Sequence, residues 1–141
     1  MSEMDIVIKL VLACICGGVI GYLREKERKA AGLRTHMLVC SGSTLIMLVS
    51  IYMALNFPGA DPTRIASNVI VGIGFIGAGA IIQAGSSIIG ITTAASIWVA
   101  SAIGLALGCG FYFGGIATTI IAVVILKMLH EFEKKYIRGG E

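Results

Sequence analysis

The sequence predicts an all-α integral membrane protein, a bundle of five transmembrane helices, and three observations lead to this fold class. Of the 141 residues, 57% are hydrophobic and 13% are charged, whereas a soluble domain carries about 25% charged residues. Between residues 52 and 129 the charged side chains are Asp61, Arg64 and Lys127 alone. Five apolar stretches, separated by polar or glycine-rich breaks, each approach the length that crosses about 30 Å of hydrocarbon. Most of the chain is therefore expected to face lipid rather than water.

The basic residues predict the orientation of the bundle. The first span, residues 6–23, is followed by the loop 24–34, which holds five basic and two acidic residues. Short basic loops stay in the cytoplasm, which places the N-terminus outside. That N-terminus is acidic and lacks the basic region of a signal peptide, so we expect the first span to remain as an anchor, with Lys9 reaching outward to the membrane surface. Five spans also place the basic tail 131–141 in the cytoplasm, after a transmembrane domain of residues 1–130.

The remaining spans follow from apolar stretches and helix breakers. They are predicted at residues 35–55, 64–84, from Thr92 to about 107, and 111–129. The second span carries a mildly polar stripe within about 80° of the helical wheel, made of His36, Cys40, Ser43, Met47 and Ser50. The connection 85–90 has no charge and is a candidate re-entrant segment. We expect Trp98 to be buried with a partner for its indole N–H, and the aliphatic fifth span to be peripheral.

The third span contains a GxGxxG pattern that allows two interpretations. Gly72-Ile73-Gly74-Phe75-Ile76-Gly77 follows the β-branched run at 69–71, as in a dinucleotide-binding turn. That turn needs an acidic residue about 20 positions later, but the next carboxylate after Asp61 is Glu131. In a membrane, glycines instead let helices approach closely. Small residues fall on two opposite sides of this span, Asn68, Gly72, Gly79 and Gln83 on one and Gly74, Gly77 and Ala78 on the other. The third helix is therefore predicted to be central.

Small residues recur on other helices and predict close packing there. Gly17 and Gly21 lie on one stripe of the first span, and Gly104 and Gly108 on one stripe of the fourth. Such stripes serve equally for contacts within one chain and for a seam between two chains. Because four helices carry them, we expect a homo-oligomer, with a dimer favoured.

Polar side chains near the membrane give the candidate site residues, each with a structural alternative. Asp61 and Arg64 would form a gate or ligand pair, or else a helix cap and a cation that reaches the surface. Asn68 and Gln83 would line a substrate path, or else bond one helix to another. Glu25 and His36 lie at the cytoplasmic rim, where His36 would bind a metal or titrate, or else anchor the helix at the interface.

Other function classes are disfavoured by what the sequence lacks. It contains no Ser/His/Asp set and no Gly-x-x-x-x-Gly-Lys phosphate loop, so an enzyme is not expected, and no cofactor is indicated. The four cysteines, Cys14, Cys16, Cys40 and Cys109, lack the paired spacing of a zinc site and are expected to be packing residues. The net charge of +3 bears on orientation rather than on nucleic acid.

Four sequence blocks resemble the MgtC/SapB family of bacterial membrane proteins, in that family's order and spacing. The blocks are Arg24-Glu25 with Ala31-Gly32-Leu33-Arg34-Thr35-His36, Asp61-Pro62-Thr63-Arg64-Ile65-Ala66, Gly72 to Gly79, and Gly90-Ile91-Thr92-Thr93-Ala94-Ala95-Ser96-Ile97-Trp98. The chain departs from the family pattern at Leu23, where an acidic residue is common. It also resembles a short form, without the soluble cytoplasmic domain that larger members carry after the last helix.

The resemblance implies a location in the bacterial inner membrane and a role in Mg²⁺ homeostasis, in a family linked to virulence. Transport of Mg²⁺ or a response to Mg²⁺ limitation is one implication. The alternative is an interaction protein that moves no ion and modulates a membrane partner such as the F-type ATP synthase. Magnesium prefers carboxylate and carbonyl oxygens, and a path for it at membrane depth would depend on Asn68, Gln83, hydroxyls and backbone carbonyls. Which residues would bind the metal stays open.

Overall fold

The structure is a computed structural model, and it describes residues 2–129. The helices are α1 (Glu3–Lys26), α2 (Leu33–Asn56), α3 (Pro62–Gly79), α4 (Ile91–Gly108) and α5 (Tyr112–Val124), and a π-helical turn (Ile125–Leu129) continues α5. Strands β1 (Ile82–Ala84) and β2 (Ser87–Ile89) form a short hairpin between α3 and α4. The all-α prediction is confirmed for these residues apart from the hairpin. The predicted tail 131–141 lies outside the described residues.

Three helices are long and apolar enough to cross a membrane. They are α1 and α2, with 24 residues each, and α4, with 18. The helical stretch Tyr112–Met128 is apolar but shorter, and α3 is not among the three. Length and composition therefore support three spans, while the count of five and the orientation stay predictions.

The centre of the bundle is formed by α2 and α4, not by α3. Helix α4 packs against each of the other four helices, whereas α3 packs mainly against α2 and α4. The fully buried apolar side chains accordingly come from α1, α2 and α4: Ala13, Ile20, Cys40, Ile103 and Leu107. The prediction of a central, glycine-rich third helix is wrong within one chain. Small side chains on a helical wheel show where a close contact is possible, but not whether a neighbour fills it.

Close helix contacts occur at the glycines of α1 and α4. A Cβ added to Gly17 would lie 2.5 Å from the carbonyl oxygen of His36, and one added to Gly108 would lie 2.6 Å from Cβ of Met47. Gly21 and Gly104 are equally tight, against the backbone of Leu33 and of Cys40 respectively. At these positions the backbones of α1, α2 and α4 touch, and any side chain would push the helices apart.

The hairpin replaces the last turn and a half predicted for the third span. Helix α3 ends at Gly79, and Gln83 pairs with Ile88 across the antiparallel strands. Gly85 (φ +64°) turns the chain, and Gly90 (φ +94°) caps α4 against the carbonyl of Ala80. Isoleucines at 81 and 82 continue the apolar pattern of α3, so hydropathy alone could not show where the helix stops.

Candidate functional site

A polar seam runs between α1, α2 and α4, and a buried cation lies at each end of it. At one end is Arg24, whose exposure is 3%. Its Nη2 donates to the hydroxyl of Thr93 at 2.8 Å, and its Nη1 forms an ion pair with the carboxylate of Glu27 at 3.2 Å. The Nε of Arg24 is buried without a hydrogen-bond partner among the described residues. An unpaired buried charge is very costly, so the pair with Glu27 stabilises the guanidinium group, and the bond to Thr93 joins the end of α1 to the start of α4.

His36 lies beside Arg24, in the first turn of α2, and is fully buried. Its Nδ1 is 2.8 Å from the carbonyl oxygen of Gly32, and its Nε2 is 3.0 Å from the hydroxyl of Ser96. A carbonyl can only accept, so Nδ1 carries the proton, while Nε2 and the carbonyl oxygen of Thr93, 2.8 Å from the Ser96 Oγ, compete for the single hydroxyl proton of Ser96. Both ring nitrogens are thus committed to protein groups. Among the described residues, no group of three or more His, Cys, Asp or Glu side chains is arranged to hold a metal ion.

Glu25 acts as the N-terminal cap of α2 rather than as a partner of His36. Its Oε2 accepts from the backbone N–H of Leu33 at 2.9 Å, where Gly32 supplies no side-chain cap. A Cβ on Gly32 would overlap the Glu25 carboxylate, so a larger residue here would displace that carboxylate from the cap. A carboxylate at a helix N-terminus is also favoured by the helix dipole. The Arg-Glu and Ala-Gly-Leu-Arg-Thr-His blocks therefore join α1, α2 and α4 at one corner.

Lys9 occupies the other end of the seam. It is 7% exposed, and its ammonium lies 3.2 Å from the carboxylate of Asp5 and 3.3 Å from the carbonyl oxygen of Gly108. Tyr112 donates to the same carboxylate at 3.3 Å. The ammonium of Lys9 is directed toward the N-terminal end of α1, and there it is buried against protein groups, because the C-terminal carbonyls of α4 attract a cation. Lys9 shares the buried stripe of α1 with Ala13, Gly17 and Gly21, which recur every four residues.

The middle of the seam is filled by small polar groups and backbone. The hydroxyl of Thr44 donates to the carbonyl oxygens of Gly104, at 2.8 Å, and of Cys40, at 3.0 Å. Ser43 and Ser101 are also buried. A cation entering this seam from either end would meet a positive side chain whose carboxylate partner is already engaged. Together these buried contacts hold α1, α2 and α4 in place relative to one another.

The remaining candidate residues lie apart from the seam, on and near α3. Asp61 caps α3, accepting from the backbone N–H of Thr63 at 2.8 Å and from its hydroxyl at 2.7 Å. These bonds, with a smaller contribution from Arg64, hold the pKa of the Asp61 carboxyl below its usual value. Arg64 and Asn68 are exposed within this chain. Gln83 lies in the hairpin, where its amide reaches the carbonyl of Gly85 at 3.4 Å, so the predicted pairing of Asn68 with Gln83 on one helix side is wrong.

A groove of about 580 Å³ separates α2 from α3. Its walls include Gly42 and Ser43 on α2, and Asn68 and Gly72 on α3. Cβ atoms added to Gly42 or Gly72 would meet nothing within 4 Å, and the same holds for Gly74 and Gly79. Of the predicted packing glycines in α3, Gly77 alone has a neighbouring helix nearby, with the Ala94 side chain 3.5 Å away. Asn68 and the α3 glycines thus present an open surface in the single chain.

Trp98 also faces outward, with 47% of its surface exposed, so its predicted burial is wrong. The buried side of α4 is the one that carries Thr93, Ile97, Ser101 and Gly108. A tryptophan at this position covers the outside of the bundle and not its core.

Comparison with known proteins gives a consistent result. A family model described as the MgtC family matches residues 10–135. The "Putative magnesium transporter YhiD" of Escherichia coli K12 is 45% identical over 132 residues, covering 90% of this chain and 61% of that protein. Protein SapB of Bacillus subtilis is 39% identical over 133 residues, with 90% and 57% covered. Protein MgtC of Salmonella typhimurium LT2 is 36% identical over 131 residues, with 93% and 55% covered.

The chain therefore spans about three fifths of the length of the curated relatives it matches. No solved structure matches it.

Proposed function

Since this chain belongs to the MgtC family, we propose that it is a bacterial inner-membrane protein of magnesium homeostasis that acts by docking its α3 surface against a second membrane-embedded helix. The name of the YhiD relative, "Putative magnesium transporter YhiD", supports the link to magnesium. The observation that carries the docking mechanism is the open surface of α3, where Asn68, Gly72 and Gly79 share one flank and a Cβ on either glycine would meet nothing within 4 Å.

Lipid chains cannot provide the hydrogen bonds that this flank of α3 needs. An amide at membrane depth is costly unless it is hydrogen-bonded, and Asn68 is exposed within the chain. Bare glycines on both walls of the α2–α3 groove leave room for a helix to approach the backbone closely. The nearest available partner is a second copy of the chain, as the sequence predicts. A different membrane complex, such as the F-type ATP synthase implied by the family resemblance, would use the same surface.

The seam argues against conduction of Mg²⁺ through one chain. Lys9 and Arg24 place a buried positive charge at each end, and their partners Asp5 and Glu27 are engaged. A divalent cation would have to displace an ion pair twice. The second candidate function, Mg²⁺ transport, is favoured by the name of the YhiD relative and by the α2–α3 groove, whose lining includes the oxygen-bearing residues Asn68 and Ser43, which two copies of the chain would bring together.

Docking is tested by cysteine crosslinking in native membranes, in a background where the four native cysteines are replaced by alanine. We expect Gly72→Cys, on the Asn68 flank, to crosslink to a second chain. Gly74→Cys is the matched control, because it lies about 200° around the same helix and is equally open. Equal crosslinking of both variants, or of neither in a folded protein, would reject the α3 flank as the docking surface.

Transport is tested separately in liposomes loaded with a Mg²⁺-sensitive dye. We expect the purified full chain to give no more Mg²⁺ entry than empty liposomes, while an ionophore gives a full signal. Entry that is present in the natural chain and lost in Asn68→Leu would establish a path through the α2–α3 groove. That result would replace the docking mechanism with transport.

A further inference from the structure

We propose that the corner between α1 and α2 is a binding site for one anionic phospholipid, with the headgroup in a basic pocket of the 24–34 loop and an acyl chain in an apolar groove along α1. This site is separate from the α3 surface and independent of the docking mechanism. Two features that lie end to end carry the inference.

The basic pocket has a volume of about 490 Å³. Arg28, Lys29 and Arg34 line it, together with Glu25 and Thr35. The three basic side chains are exposed, whereas the Glu25 carboxylate is bonded to the N-terminus of α2. The lining therefore carries an excess of positive charge with free donors, which suits a phosphate group.

The backbone holds Arg28 at this pocket in a conformation that arginine rarely adopts. Arg28 has φ +54°, directly after the cap of α1, and its N–H bonds the carbonyl of Glu25 at 2.9 Å. Lys29 N–H bonds the carbonyl of Arg24 at 3.0 Å, which completes the helix end. Glycine is the residue that normally occupies such a position. The positive φ of Arg28 is therefore an energetic cost that glycine would not have at this position, and the arginine places a guanidinium group at the pocket.

The apolar groove has a volume of about 630 Å³, and like the basic pocket it includes the start of α2 in its lining. Val11, Ile15 and Val19 line its α1 wall, and Leu33 and Met37 line its α2 wall. Its lining extends from residue 10 to residue 23 of α1, which is about 20 Å of helix at 1.5 Å per residue. One leaflet of a hydrocarbon core about 30 Å thick is about 15 Å deep, so the groove is long enough to hold an acyl chain through one leaflet.

The junction of the two parts has the composition of a membrane interface. Leu33 lines the groove, while its neighbours Gly32 and Arg34 line the basic pocket. Tyr22 lines the headgroup end of the groove and is 61% exposed. Tyrosine is enriched at headgroup level because its ring is apolar and its hydroxyl is polar.

A phospholipid explains both parts, and the alternatives explain only one. Free phosphate would use the basic pocket but not the groove. An acidic protein segment would leave the acyl-length groove empty, and a neutral lipid would leave the cluster of Arg28, Lys29 and Arg34 unused. Basic residues next to a membrane attract anionic lipid, and each contributes about fivefold in binding.

The experiment is native mass spectrometry of the full chain in detergent, titrated with phosphatidylglycerol or phosphatidylcholine. We expect one phosphatidylglycerol to bind in preference to phosphatidylcholine. Lys29→Gln with Arg34→Gln should weaken phosphatidylglycerol binding about 30-fold, from about fivefold per charge. Lys26→Gln is the matched control, because this exposed lysine is in the same loop but does not line the pocket.

Two further variants keep the test valid if a charge variant folds poorly. Arg28→Gly removes a charge and relieves the positive-φ backbone, so it should bind less phosphatidylglycerol while its thermal midpoint is unchanged or higher. Ile15→Trp fills the groove and should also weaken binding, whereas Val49→Trp, on an exposed face of α2 outside the groove, should not.

Equal binding of the two lipids by the natural chain would overturn the proposal, as would full binding by the double charge variant. Displacement of the lipid by 10 mM inorganic phosphate, at about physiological ionic strength, would show a free-anion site instead. Displacement by a poly-glutamate peptide would show a protein-docking site.

Discussion

The ion pair between Arg24 and Glu27 should respond unequally to removal of its two members. The Arg24 side chain is 4% exposed, whereas that of Glu27 is 21% exposed. Replacing Glu27 with leucine leaves a guanidinium group that water cannot reach, and an uncompensated buried charge costs about 3 to 5 kcal/mol. Replacing Arg24 with methionine keeps the apolar stem and leaves a carboxylate that can turn to water. The loss is then the bond to Thr93, about 1 to 2 kcal/mol, partly offset because the unsatisfied Nε disappears.

We therefore expect Glu27→Leu to destabilise the fold more than Arg24→Met, and the double variant to be less destabilised than Glu27→Leu alone. The free energy of unfolding would be measured by circular dichroism of the detergent-solubilised chain during titration with sodium dodecyl sulfate. Met37→Leu, a volume-conserving change in a half-buried side chain, is the control. A larger loss for Arg24→Met than for Glu27→Leu would refute the burial argument.

Three other predictions use the same unfolding measurement. Gly104→Ala should destabilise the chain by about 1 to 3 kcal/mol, because the added Cβ meets the backbone of α2. Gly72→Ala should instead stabilise an isolated chain by about 1 kcal/mol, because the added Cβ meets nothing and alanine favours the helix. Similar effects at both sites would contradict the described packing. Gly32→Ala should displace the Glu25 carboxylate and cost at least about 1 kcal/mol through the lost cap, and an unchanged midpoint would refute this role. Because the pKa of Asp61 is lowered, its contribution to folding stability is present above the unfolded pKa of about 4 and is lost as the pH falls through the folded pKa. Asp61→Asn should therefore reduce the fall in stability between about pH 5 and pH 2. An unaltered pH profile of stability would refute the role of Asp61 as a cap.

Hydropathy and periodicity predict the helices well where one face of each is buried in a continuous stripe. They locate α1, α2 and α4 because the apolar run of each helix ends at a clear break: at Lys26 for α1, at Asn56 for α2 and at the glycine turn near residue 110 for α4. They misplace the end of α3, since two isoleucines prolong its pattern into a strand. Side-chain burial is harder to predict, because it depends on which helix lies opposite. The burial of Lys9 and the exposure of Trp98 both depend on how α4 packs against its neighbours, which are distant in the sequence.

The candidate site is hard to predict for the same reason, because the partners of its residues lie on other helices. The sequence identifies Glu25 and His36 as special, but their partners, Leu33 N–H and the Ser96 hydroxyl, are known only once α1, α2 and α4 are assembled. Arg24 was recognised only as one member of a family block, because a basic loop residue ordinarily faces water. Its burial beside Thr93 becomes visible when two blocks that are 69 residues apart meet.

The contact between Gly90 and the Ala80 carbonyl has a mechanical consequence. It brings the two ends of the β1–β2 hairpin side by side, so that the hairpin leaves the bundle at one point. Lys9 and Arg24 each join α1 to α4, and the hairpin lies outside both contacts. A label at Ser86, at the tip of the hairpin, would report any movement of the hairpin relative to these helices.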